Sequence, residues 1–92
     1  MSHIVRVEAA VPRALRRLPQ AVVDRIWAGI RALSDDPRPW GSQALSGTLR
    51  PFRKLRIGDY RVAYRVDDDA QVVTVVWAGH RSRIYEELER RQ

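Results

Sequence analysis

Apolar residues recur along the first third of the chain at steps of three and four. Leu15, Leu18, Val22, Ile26, Ile30 and Leu33 fall on one stripe of a 3.6-residue helix, the pattern of core packing. Pro19 interrupts the stripe. It has no N–H to donate and crowds the preceding turn, so the pattern predicts two helices, near 11–18 and 20–34, with Pro19 opening the second. Asp35-Asp36-Pro37 ends that helix. Ahead of them, "HIVRVEAA" alternates and predicts a short strand at about 3–8. After them, "PRPWGSQALSGTL" is a Pro/Gly/Ser-rich connection, ordered enough to carry Trp40 and Leu45. Three more β runs follow, at about 51–57, 60–66 and 71–78, and "VVTVV" has the near-continuous apolar character of a central strand. "EELERRQ" reads as a short polar helix beginning near Ile84. The order along the chain is β-α-α-β-β-β-α, an α+β arrangement in a single domain over 1–92.

Gly58-Asp59 separates two of the β runs, and a two-residue loop with glycine signals a hairpin. Pairing Ile57 with Tyr60 sets Arg56 opposite Arg61, Leu55 opposite Val62 and Lys54 opposite Ala63. Cross-strand partners share a face. One face then carries Leu55, Ile57, Tyr60, Val62, Tyr64 and Val66, and takes the helices. The other carries Lys54, Arg56, Arg61, Ala63 and Arg65, a cationic platform. A slip of one residue would mix the two sets. Arg56 facing Arg61 is a repulsive pair unless something anionic lies over it, and such local conflicts mark functional surfaces. "DDDA" at 67–70 turns the chain back, leaving the next register open by one. In either register Trp77 to Arg81 ends beside Tyr60 and Arg61. Tyr60 and Tyr64 are expected in the core, Trp27 and Trp40 as core or loop anchors, and Trp77 in the core or stacked on a base.

Charge sharpens this picture. The 92 residues carry a formal net charge of +6, with sixteen arginines and one lysine, and 45% of residues are hydrophobic. That is a globular composition with an excess of planar, phosphate-matching guanidinium groups, so nucleic acid is the first partner class to consider. There is no cysteine, which excludes disulfides and Cys-based zinc sites. His3 near the N-terminus is the only histidine besides His80, so no metal site is expected. No apolar run approaches the roughly 20 residues of a membrane span, and the N-terminus lacks a signal-peptide core, so a cytoplasmic protein without a membrane partner is expected. Lys54, Arg56, Arg61, His80, Arg81 and Tyr85 converge at one end of the sheet. Cations suit a phosphodiester, and a phenol or imidazole can move protons.

The segments "LRIGDYRVAYRV" and "GHRSRIY", with "RALRRLPQAVVDRIWAGIRALSDDPRPWG" and "LSGTLRPFRKLRIGDYRV" in the same order, resemble the RelE branch of the RelE/ParE toxin superfamily over about residues 4–86. The resemblance implies a small twisted antiparallel sheet with two N-terminal helices on one side, and a toxin of a type II toxin–antitoxin module. It implies a metal-independent, cofactor-free mRNA endonuclease working in the ribosomal A site. The ribose 2′-hydroxyl would attack the neighbouring phosphate and leave a cyclic phosphate. It also implies an acidic antitoxin as partner, in a hetero-oligomer. By position, Arg61 would stabilise phosphate charge in the transition state. Lys54 would hold the phosphate or support proton transfer, and Arg81 would contact phosphate near the leaving oxygen. Tyr85 would transfer a proton or stack on a base, and His80 would act as acid or base. Around these, Arg53, Arg56, Arg65 and Arg83 are the expected RNA-binding residues. Arg13, Arg16 and Arg17 fit either ribosomal RNA or the wet side of a helix.

Two features depart from that pattern. The best-studied RelE members carry a further lysine two residues before the position of Lys54, where this chain has Phe52, and Arg53 beside it has the opposite strand parity, a poor substitute unless the strand bulges there. The step from Arg81 to Tyr85 is also shorter than in some members. These differences shift weight onto His80 or leave a weak catalyst. Two other readings therefore remain open: a ParE-type poison of DNA gyrase, and a degenerate RNA-binding homologue.

Overall fold

Pro19 stops one helix and opens the next, as its missing N–H requires. In the computed structural model, which describes residues 2–91, α1 spans Ala10–Leu15 and α2 spans Gln20–Ala32. The turn between them closes with the Leu18 N–H on the Leu15 carbonyl at 3.1 Å, so α1 ends earlier than the periodicity alone suggests. Ahead of them β1 is Ile4–Val7; after them come β2 (Ser42–Ala44), β3 (Arg53–Ile57), β4 (Tyr60–Asp67), β5 (Val72–His80) and α3 (Ile84–Arg90). The fold is α+β.

The five strands form one sheet in the order β1-β5-β4-β3-β2, with β1 parallel to β5 and the other pairs antiparallel. The hairpin register is the expected one: Ile57 pairs with Tyr60, Arg56 with Arg61, Leu55 with Val62 and Lys54 with Ala63. Gly58 takes φ +59 while Asp59 does not enter positive φ, the pattern of a two-residue turn with glycine first. The connection after α2 is less irregular than its composition suggests. Three of its residues form β2, which pairs with β3 and becomes an edge of the sheet. Polar residues without alternation carry no strand signal. Only the partner edge makes that segment extended.

Two cores hold the layers together. On one face Leu15, Ile26, Ile30 and Leu33 pack against Leu55, Val62, Tyr64, Val73 and Val75. Tyr64 is fully buried, and its hydroxyl donates to the Pro37 carbonyl at 2.7 Å. On the other face Leu45, Leu49, Phe52, Ala63 and Val76 pack against Ile84 and Leu88 of α3. The platform is therefore not bare: α3 covers its middle and leaves only its ends in water. A bulge in β5 makes this possible. Ala63 pairs with Trp77 and Tyr64 with Val75, so Val76 is the extra residue, and both it and Trp77 reach the α3 side.

Trp27 packs against the first core and Trp77 against the second. Trp40 corrects the expectation of an anchor: it is 100% exposed. Its segment stays polar and apolar cover never reaches it. At the other end of the sheet the His3 N–H donates to the Ser34 carbonyl at 2.7 Å, and Arg38 makes two hydrogen bonds to the Asp68 carboxylate at 3.2 and 2.8 Å. Among the described residues no helix is long and apolar enough to cross a membrane.

Candidate active site

The β3–β4 turn and the exit from β5 meet at one corner of the molecule. Arg61 is the second residue of β4, and its Nη1 donates to the carbonyls of Gly58 and Tyr60 at 3.0 and 2.8 Å. The turn thus holds the guanidinium close to the strand that carries it. Across the ladder Arg61 faces Gly79. A Cβ on Gly79 would lie 2.6 Å from the Trp77 ring, so the indole occupies the space where a side chain opposite Arg61 would stand.

Beyond β5 the Arg81 N–H donates to the Asp59 carbonyl at 2.9 Å, tying the exit to the same turn. The chain then reverses: the Arg83 N–H donates to the His80 carbonyl at 3.0 Å, and α3 starts at Ile84. Ile84 is 2% exposed in the second core. With Ile84 pointing inward, Tyr85 stands outside, and Lys54 Nζ donates to its hydroxyl at 2.7 Å. Nζ is 5.2 Å from the ring centroid, which places it out beyond the phenol oxygen rather than over the ring. The contact is a hydrogen bond from an ammonium to a phenol oxygen.

One depression of about 310 Å³ gathers Lys54, Arg61, His80, Arg81 and Tyr85. A second, of about 350 Å³, shares Lys54 and Arg61 and adds Arg56. Among the described residues none of Lys54, Arg56 and Arg61 has a carboxylate within ion-pair distance. The carboxylate at this corner that does pair is Asp59, with Oδ1 3.8 Å from Arg81 Nε, both well exposed. Sequence reading passed over Asp59 as a turn residue; its place between two arginine-bearing strands was the available signal. Glu89 borders a further depression with Lys54 and Tyr85.

His80 is turned partly aside. It pairs across the ladder with Tyr60, its ring edge-on to that tyrosine at 5.8 Å, and its Nδ1 lies 2.9 Å from the Ser82 hydroxyl. It still borders the depression as the last residue of β5.

Three of the four arginines expected around the site lie elsewhere. Arg53 pairs with Tyr64 and so belongs to the helix face, where its Nη2 donates to the Ser42 hydroxyl at 2.9 Å. Arg65 shares the platform face but pairs with Thr74 at the far end, beside Arg6 and the acidic turn. Arg83 turns to the first turn of α3, 3.2 Å from Glu87 and 3.9 Å from Glu86. Strand alternation, distance along the sheet and local carboxylates separate these three from the corner. Arg56 alone of the four joins it. An array of unneutralised cations beside a phenol and an imidazole can bind a phosphodiester and move protons on it.

Comparison with known proteins gives a consistent picture. Residues 5–85 match the family model described as ParE toxin of type II toxin-antitoxin system, parDE. The chain is 30% identical to a chain of the archaeal RelE–RelB complex from Pyrococcus horikoshii, with a TM-score of 0.76, covering 90% of this chain and 99% of that one. It is 27% identical to a chain of the toxin–antitoxin complex RelBE2 from Mycobacterium tuberculosis, with a TM-score of 0.78, covering 88% and 100%. A double mutant of the E. coli toxin RelE in the free state has the same fold, at 23% identity and a TM-score of 0.76, covering 99% and 98%. No curated protein matches the sequence.

Proposed function

The chain belongs to the RelE/ParE superfamily of toxins from type II toxin–antitoxin modules, and from that premise we propose that it is a ribosome-dependent mRNA endonuclease of the RelE type. The observation that carries this reading is the convergence of Lys54, Arg61, Arg81, Tyr85 and His80 on one depression. In the proposed reaction the ribose 2′-hydroxyl loses its proton as its oxygen bonds to the adjacent phosphorus. The bond to the 5′-oxygen breaks, that oxygen takes up a proton, and a 2′,3′-cyclic phosphate remains. Arg61 stabilises the charge gathering on the phosphoryl oxygens, and Arg81 lies toward the leaving oxygen. Tyr85, which accepts a hydrogen bond from Lys54, is one proton carrier, and His80 is the second. These residues supply the charge and proton transfer without a metal. The partners are mRNA in the ribosomal A site and a cognate acidic antitoxin. A net charge of +6 favours an acidic chain, and the two similar complexes pair RelE with RelB.

The match to a model named for ParE keeps a second reading in view, a poison of DNA gyrase. Primer extension on translated mRNA after induction separates the two. New 5′ ends within open reading frames, absent with Arg61→Ala, are expected. Arg61→Ala removes a charge-assisted contact worth roughly 1.5–3 kcal/mol. Intact transcripts alongside gyrase-dependent DNA breaks would reverse the assignment, and unimpaired growth without antitoxin would point to a degenerate homologue.

A further inference from the structure

We propose that Trp40 is a base-stacking platform for single-stranded RNA beside the phosphate-binding cations. The inference rests on the RNA-cleaving reading of the site. Trp40 is 100% exposed, although burial of an indole is among the larger gains a small fold can make. Its backbone is nonetheless held. The Ser42 N–H and the Ser42 hydroxyl both donate to the Pro39 carbonyl, at 3.0 and 2.7 Å, closing a tight turn over Pro39-Trp40-Gly41-Ser42. Gly41 takes φ +92 at the third position, where such a turn requires glycine. The indole is thus carried on an ordered corner and left in water.

That corner adjoins the cations. The Gly41 carbonyl accepts from the Arg56 N–H at 3.1 Å, and Gly41 borders the same depression as Lys54, Arg56 and Arg61. Positive charge that tracks a phosphate chain, together with an exposed aromatic ring carried one residue before Gly41, suits single-stranded nucleic acid, because every base has a π-face. A protein partner would call for apolar surface around the indole. The turn instead runs into Ser42 and Gln43, and the exposed Ile4 lies on β1, at the opposite edge of the sheet.

Titration of the full chain with a decauridylate RNA at low salt, followed by tryptophan fluorescence and anisotropy, tests the site. Inorganic polyphosphate, which has charge but no bases, is the comparison ligand. RNA should quench the wild-type fluorescence. Trp40→Ala should weaken RNA binding by roughly 5- to 100-fold, the worth of one stacked base, while Trp40→Tyr stays within a few-fold. Polyphosphate affinity and thermal unfolding should be the same for all three. Wild-type RNA affinity in Trp40→Ala, an equal loss toward polyphosphate, or no RNA binding by the wild type each overturns the proposal. So does a Trp40→Ala protein that keeps its RNA and loses its antitoxin. If mRNA is cut in an Arg61-dependent way while Trp40→Ala binds RNA normally, only the stacking site falls. If Trp40→Ala loses RNA and the wild type cuts no mRNA, the stacking site stands and the nuclease reading falls.

Discussion

Lys54 and Tyr85, 31 residues apart in sequence, are joined by a 2.7 Å hydrogen bond from the ammonium to the phenol oxygen. The bond links the second residue of β3 to the first turn of α3 at the rim of the cationic depression. If Tyr85 carries a proton in the proposed cleavage, Tyr85→Phe removes that capacity and keeps the ring. mRNA cleavage is expected to fall about 100-fold, the lower range for a lost proton carrier, with thermal unfolding within a few degrees of wild type. Undiminished cleavage would take Tyr85 out of the chemistry.

Asp59 places its carboxylate 3.8 Å from Arg81 while its carbonyl holds the Arg81 N–H. Asp59→Asn keeps the backbone bond and removes the charge. Both side chains are exposed, so stability should change by less than about 1 kcal/mol. RNA affinity should rise about two- to five-fold at low salt, and the gain should fade as salt screens it. Weaker RNA binding at low salt would mean that Asp59 orients Arg81 rather than competing for it.

Phe52, at the position where the resemblance to RelE implies a lysine, is 7% exposed within the second core, beside Leu45, Leu49 and Leu88. Phe52→Lys should not restore a family-like site. It strips an aromatic ring from that core and places an ammonium there without a partner, at a cost of roughly 3 kcal/mol or more. A urea melt should show a large fall in midpoint and mRNA cleavage should not rise. A stable variant with faster cleavage would contradict the placement.

The hydrogen bonds from Arg38 hold the Asp68 carboxyl below the usual carboxylate range, with a smaller contribution from His3. The folded state therefore binds this proton less readily than the unfolded chain. The resulting stabilisation is complete above the unfolded-state value and fades as pH falls below about 4. Urea midpoints for wild type and Asp68→Asn should differ slightly at pH 6 and converge toward pH 3. The effect is small because the pair faces solvent. A gap that widens in acid would reverse the sign of this coupling.

Much of the fold was legible because it depends on local rules. Pro19 must break the stripe, and the β3–β4 register follows from Gly58-Asp59 and from strict alternation on both strands. Those same rules bring Lys54, Arg56 and Arg61 to one face and Arg81 to the same corner. Lys54 to Tyr85 was legible as proximity but not as a bond, since a hydrogen bond depends on where Ile84 anchors the helix.

The sequence by itself determined which residues alternate, where the chain turns and which sign of charge the hairpin presents, because these depend on neighbours a few positions apart. The tertiary structure alone decided that Ser42–Ala44 becomes an edge strand, that α3 closes a second core over the platform, and that Arg53, Arg65 and Arg83 stand away from the corner. Each of those outcomes turns on a distant partner: the free edge of β3, the bulge at Val76, a serine hydroxyl, the far end of the sheet, a helix carboxylate. Local pattern gives a side chain its face. Long-range packing decides what it meets there.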